Sequence, residues 1–367
     1  MATFKLYVDK MGSVAATDYI GLAGDLFYDR TDGFLRLSDG ETAGGMIVSG
    51  QGGDSNPAAY GRTISLGIGA GTNQGQDSVA IGYQSGSDQA WSTVAIGNQA
   101  GIEQGPSAIA IGRSAGNGQG WDAIAIGRNA GNNTQQDGTI GIGYYAARIN
   151  QRYHSIALGS NAGEQDQYWD AIAIGRSAGN SGQDSQTIAI GHRAAQVGQQ
   201  AQAVAIGTWA GNYLQGLHAI AIGAFAGETE QGWTAIAIGE EAGNTGQEFR
   251  SIAIGRWAGA ENQKSQTVAI GALAARFNQG YSAVAIGRHA GLDSQGNNAI
   301  AIGNMAAESN QDTNSIVLNA SGNPLASAGV GTMVVQSLRQ VTGGSIPSGF
   351  YQVAWNPTTG EMIVVTE

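Results

Sequence analysis

The sequence predicts an all-β fold, a parallel β-solenoid of about seventeen coils with small β-rich segments at its ends, and three observations predict it. A tetrapeptide of the form Ile/Val-Ala-Ile-Gly recurs, ending at Gly67, Gly82, Gly97, Gly112 and Gly127 at intervals of 15 residues. From Gly143 to Gly303 the interval is 16 without a slip, and a degenerate copy, SIVLN, ends at Asn319. A period this short leaves no room for helical pairs, whose repeats need about 33 residues or more. The tetrapeptide is also too brief and too β-branched for a helix, so each copy is one strand and each repeat one coil.

Residues 1–60 precede the repeats. Within them LFYDRTDGFLRLSDGE alternates apolar and polar residues on either side of Asp32-Gly33, a hairpin signal. A solenoid leaves unpaired backbone groups on its first and last coils, and β-rich caps block end-to-end pairing there. The expected organisation is a capping and anchoring segment over 1–60, the repeat shaft over 61–320 and a second cap over 321–367. In the last of these TMVVQSL predicts one strand, and FYQVAW and EMIVV two more about a turn at 356–360.

Within each repeat the terminal glycine fits a sharp turn with positive φ, and the small pair that follows, such as Ala178-Gly179 or Ala194-Ala195, lets the chain double back. A glutamine stands eight residues before each next glycine: Gln74, Gln89 and Gln104, then Gln119, Gln135, Gln151, Gln167, Gln183, Gln199, Gln215, Gln231, Gln247, Gln263, Gln279, Gln295 and Gln311. The residue that lengthens the period from 15 to 16 therefore enters before the glutamine. Stacked glutamines can chain their amides along the axis, as in cross-β ladders, so a structural role is expected for them.

Successive side chains of a strand face opposite ways, which separates two ladders. The branched ladder, with Ile124, Ile126, Ile172, Ile174, Ile252 and Ile254, is expected to fill the coil. The alanine ladder, Ala110, Ala125, Ala157, Ala173, Ala189, Ala205, Ala221, Ala237, Ala253, Ala269, Ala285 and Ala301, is then outward. A solvent-facing strand position would vary among Thr, Lys and Glu, so its constancy predicts close packing against other copies of the chain. The alternative is a flattened coil whose thin interior admits only alanine.

Composition narrows the function. The chain of 367 residues has 60 glycines, no cysteine and a formal net charge of −11. Disulfides, thiolate metal sites and a cysteine nucleophile are excluded, and an acidic chain without basic clusters is a poor partner for nucleic-acid phosphates. No apolar run is long enough to span a membrane as a helix, and the first residues lack the basic-then-apolar pattern of a secretory leader, so neither membrane insertion nor export is expected. His154, His192, His218 and His289 fall at unequal repeat positions and suggest no metal cage. Acidic residues such as Asp122, Asp170 and Glu240-Glu241 are scattered, and a uniform rod offers no cleft for paired carboxylates, so no enzyme and no cofactor are expected. Regular threonine ladders, which an ice-binding face would want, are missing too.

Aromatic residues favour two positions. One follows the glycine, at Tyr144, Tyr145, Trp209, Phe225 and Trp257; the other follows the glutamine, at Trp91, Trp121, Tyr153, Trp169, Trp233, Phe249 and Tyr281. Trp121, Trp169, Trp233, Phe249 and Tyr281 could stack on sugar rings of a host surface, or the aromatics could cover neighbouring coils or seal an interface between chains.

SVAIG at 78–82 and SIAIG at 251–255, each followed by a small pair, resemble the YadA-like head repeat of trimeric autotransporter adhesins. The resemblance covers residues 64–319 and implies a left-handed parallel β-roll that assembles as a homotrimer. The leader, coiled-coil stalk and membrane anchor of autotransporters have no counterpart in the sequence. Residues 24–45 are similar to β-rich segments near the N-termini of bacteriophage fibre proteins, and residues 351–365 resemble hairpins that follow such repeats in virus fibres. The resemblances together imply a virion protein, a tail fibre or host-contacting appendage. Its N-terminal segment would join it to a tail or capsid protein, and its partner would be a host glycan or protein. A capsid decoration protein without receptor binding and an autotransporter head are the alternatives. Related fibres often continue into a self-cleaving chaperone after the hairpin, which leads to the expectation of a longer precursor trimmed at Glu367.

Overall fold

The computed structural model describes residues 63–336 without a break. Outside that span it describes the strands Leu26–Asp29, Phe34–Leu37, Met46–Ile47, Gln352–Trp355 and Met362–Val365, together with residues 22, 23, 38, 40 and 41. Leu26–Asp29 pairs antiparallel with Phe34–Leu37, and that strand pairs in turn with Met46–Ile47. Gln352–Trp355 pairs antiparallel with Met362–Val365. Both predicted hairpins therefore form, while the turn at Asp32-Gly33 and the one at 356–360 lie outside the described residues.

The described residues are all β, with no helix. Each tetrapeptide is a short strand, and successive copies pair parallel, one repeat apart and residue for residue: Ile172 with Ile188, Ala173 with Ala189, Ile174 with Ile190. The sheet is an open stack rather than a closed barrel. Ile64–Leu66 pairs only with Val79–Ile81 among the described residues, and Met333–Gln336 only with Ile316–Asn319. The stack thus extends one rung past the last sequence repeat. Met333 follows Ile316 by 17 residues, outside the 15-to-16 rhythm, which is why periodicity stopped at Asn319.

The opposite side of the coil carries the strands that end in glutamine. They begin at Asn133–Gln135, where the period becomes 16, and continue in parallel through Ile149–Gln151, Gln165–Gln167, Ser181–Gln183 and Val197–Gln199. Single parallel bridges carry the row on from Val197 through Tyr213, Thr229 and Thr245 to Glu261, and from Phe277 to Asp293 and Ser309. The extra residue gives this side three residues between the small pair and the glutamine instead of two, enough for a paired strand.

The orientation of the two ladders is the reverse of the sequence expectation. Ala110, Ala125, Ala157, Ala173 and their equivalents through Ala301 are fully buried within a single chain. The branched side chains point outward: Ile172 and Ile188 are half-buried, Ile174 is 38 % exposed, and Ile206, Ile222, Ile238, Ile270, Ile286 and Ile302 are 36 to 40 % exposed. Ile124, Ile126, Ile252 and Ile254 are likewise only partly buried, so they do not fill the coil, and the alanines cannot be its contact with other chains.

The reason is the thickness of the interior. A Cβ added to Gly179 would lie 2.6 Å from the Gln183 Oε1 and 3.2 Å from the Ala173 methyl. The space across this coil thus holds one methyl group, one glycine and one amide, and in the coils of Ala195, Ala275 and Ala307 a second methyl takes the place of the glycine. The alanine or hydroxyl residue before each strand, such as Ala171 or Thr187, completes this lining. Where Gly141 replaces the ladder alanine, Ala147 replaces the facing glycine, and a Cβ on Gly141 would meet the Ala147 methyl at 2.7 Å.

The corner glycine is required twice over. Gly175 has φ +126°, and a Cβ there would meet the Gly191 carbonyl oxygen of the next coil at 2.5 Å. Two substitutions separate inside from outside. Ala173→Val should destabilise the folded chain by about 1–3 kcal/mol through overpacking, whereas Ile174→Val should cost under about 1 kcal/mol, both read from urea unfolding followed by circular dichroism. Equal effects would contradict the inward alanine.

Candidate functional surface

The buried glutamines are the polar part of the interior. From Gln89 to Gln311 each Nε2 donates to the Oε1 of the next glutamine, at 2.5 to 3.1 Å, in an unbroken run of fourteen hydrogen bonds. The same Nε2 of Gln183 donates to the Ile172 carbonyl at 2.8 Å, and that of Gln167 to the Ile156 and Ala171 carbonyls at 2.9 and 3.0 Å. The amide therefore ties one side of the coil to the other as well as to its neighbour. Gln74 stands outside the run: its Oε1 accepts from Ser65 Oγ, its Nε2 donates to the Ile64 carbonyl, and Gln89 Oε1 is left buried without a partner. Every glutamine named from Gln119 to Gln295 is buried.

The outer surface divides by strand geometry. The outward Ile and Val side chains form one apolar face along the whole stack. At the end where each strand is entered stands the row that follows the glutamine by two. Here Trp121, Trp169, Trp233 and Tyr281 are 61, 56, 57 and 50 % exposed, with Phe249 less so. Arg250 lies over Phe249 at 4.5 Å and Lys264 near Tyr281 at 6.0 Å. Among the described residues no cation lies over Trp121, Trp169 or Trp233, and none of the five rings packs on another ring.

Just past the glycine at the other end, the aromatics are packed within the chain. Trp209 stacks on Phe225 with centroids 6.3 Å apart and takes His192 edge-on. Arg128 lies over Tyr144 at 4.3 Å, Arg148 over Tyr145, Arg193 over Trp209 and Arg276 over Trp257 at 4.0 Å. These rings cover neighbouring coils, one of the roles the sequence allowed. Burial, with Arg176 and Arg193 close by, holds His192 below the usual imidazole range, and its Nε2 lies 2.8 Å from Arg176 Nη2. Tyr144 is raised and Tyr145 lowered, chiefly by the hydrogen bond between their hydroxyls.

An open groove of about 660 Å³ lies beside the exposed aromatic row, between Trp233 and Phe249 on one side and Glu230 and Asn262 on the other. Gly246 supplies no side chain there, where a Cβ would meet nothing nearer than Asn262 Oδ1 at 3.5 Å, whereas Gly232 lets the backbone of the next coil at Glu248 and Phe249 come close. Its far end is closed by Glu248, whose Oε1 lies 2.8 Å from Lys264 Nζ and whose Oε2 accepts from Ser265 Oγ at 2.9 Å. Partial burial alone would raise the Glu248 carboxyl, but the Lys264 and Ser265 hydrogen bonds outweigh it and lower it; Lys264 is raised in return. The groove offers flat apolar rings beside carboxylate, amide and ammonium groups. The repeat gives no signal for its position, since Gly232 follows Gln231 whereas Gly246 precedes Gln247.

Among the described residues no group of three His, Asp or Glu side chains is placed to hold a metal ion, and no helix is long and apolar enough to cross a membrane. No family model, curated protein or solved structure matches this chain. The amide run is open to direct measurement. Gln183→Leu should leave neighbouring amide groups unpaired and destabilise the coil by about 1–3 kcal/mol, read as a lower urea midpoint; an unchanged midpoint would deny the bonds their structural role.

Proposed function

We propose that this chain is a virion fibre protein, a tail fibre or host-contacting appendage, in which the solenoid is a rigid homotrimeric spacer and the groove at Trp233 and Phe249 contacts a host-surface glycan. The observation that carries the assembly is the outward Ile/Val face. A soluble monomer rarely leaves an apolar patch larger than a few hundred Å² uncovered, and here two branched side chains per coil are repeated along the stack. A second copy of the same face is the simplest cover for it, since repeat matches repeat along the full length. The number three, the left hand of the coil and the virion context rest on resemblance to YadA-like heads and fibre proteins. Joining to a tail or capsid protein is assigned to the N-terminal segment.

Shape supports the same reading. Eighteen rungs about 4.8 Å apart make a shaft on the order of 80 Å long, which separates two points and encloses nothing. The groove favours host contact over a decoration protein without a receptor, because exposed rings flanked by hydrogen-bonding groups suit the C–H faces and hydroxyls of a pyranose.

The test has two arms. Sedimentation equilibrium should give three times the chain mass, and Ile190→Asp with Ile222→Asp should yield monomer with the β circular dichroism spectrum retained. Purified protein should compete with particle adsorption to host cells, and Trp233→Ala with Phe249→Ala should abolish competition while the trimer persists. A wild-type monomer at micromolar concentration would refute the assembly, and competition untouched by the double variant would refute the groove.

A further inference from the structure

We infer that the arginines just past the corner glycines meet, across the boundary between two copies of this chain, the aromatic rings that precede the strands, coil against the same coil. This rests on the proposed assembly through the Ile/Val face and adds the contact that sets its register. The argument starts from strand direction. In a ring of parallel copies whose apolar faces turn inward, all strands run the same way around the axis. The end of a strand in one copy therefore abuts the start of a strand in the next. The row past the glycine on one chain faces the row after the glutamine on its neighbour.

The two rows fit chemically. The first holds five arginines: Arg113, Arg128, Arg176, Arg256 and Arg288. With matching coils opposed, three of the five stand against a ring outside the groove: Arg128 against Trp121, Arg176 against Trp169 and Arg288 against Tyr281, while Arg256 lies over Trp257 of its own chain at 5.3 Å. A slip of one coil leaves two arginines opposite such a ring in one direction and one in the other. Trp121, Trp169 and Tyr281 are half or more exposed in the single chain, as an edge awaiting a neighbour would be. Arg176 and Arg288 lie over no ring among the described residues. The chain already uses Arg-on-ring stacking along its own corner, at Arg193 with Trp209 and Arg276 with Trp257. Such contacts are directional, and a uniform Ile/Val face by itself tolerates a slip of one repeat.

A double-mutant cycle on trimer dissociation tests this. Trp169→Ala and Arg176→Ala should each raise the dissociation constant about three- to tenfold, and the two together should raise it no further than the larger single change. Tyr153→Ala with Arg176→Ala should be additive. As a second readout, the chain lacks cysteine, so a chain carrying Trp169→Cys and Arg176→Cys should cross-link between copies with a short bis-maleimide. A chain carrying Tyr153→Cys and Arg176→Cys should link far less. Additive effects for Trp169 and Arg176 in a stable trimer would overturn the contact while leaving the assembly intact. Coupling or cross-linking through Tyr153 instead would overturn the register. A monomeric wild type would remove the assembly itself.

Discussion

The buried glutamine amide is the interaction on which the coil depends. It occupies an interior so thin that the ladder position is alanine or glycine from Ala80 to Ala301 and valine only at Val317, and its one NH2 group serves both the next glutamine and the carbonyls of the opposite wall. Once the amide spans the gap, every facing position must be small: alanine in the strand, alanine and glycine at the turn, alanine, serine or threonine before the strand. The apolar interior is therefore made of methyl groups. Cohesion rests on backbone pairing between coils and on the amide run, because little branched hydrocarbon is buried within the chain.

Much of this was legible in the sequence. The period gave the coil count to within one, the glutamine spacing located both the amide run and the extra residue, and the hairpin signals matched pairs that form. The direction of the strand was not legible. An Ile-Ala-Ile strand has the same alternation whichever side faces in, and the choice depends on the distance across the coil, a three-dimensional quantity set by the glutamine and glycine on the far wall. The constancy of the alanine does mark a close approach, and for Ala173 the approaching groups are Gly179 and the Gln183 amide of the same chain. The groove was hidden for a similar reason, since it lies between side chains that neighbouring coils contribute from different repeat positions.

With the ladders assigned, the surface acquires a division of labour. Apart from the corner glycine, the fixed positions of the repeat are inside or on the apolar face, while the positions just past that glycine and two after the glutamine vary from coil to coil. One end of the strands holds rings stacked with arginines and with one another, and the other holds Trp121, Trp169, Trp233 and Tyr281, each half or more exposed. That asymmetry is a property of the repeat as a tethered frame: the core sets where a side chain is displayed, and each coil can display a different one.

The amide run also has a sense. All fourteen bonds point the same way, with N–H directed toward Gln311 and the carbonyl toward Gln89, whose oxygen ends the run unpaired. Backbone bonds between coils alternate in direction, as Ile172 donating forward to Thr187 and Gly175 donating backward to Leu158 show, so they largely cancel. The side-chain amides do not cancel. Their dipoles add along the axis as those of peptide groups do in a helix, leaving the shaft electrically polar, positive toward its C-terminal end and negative toward its N-terminal end.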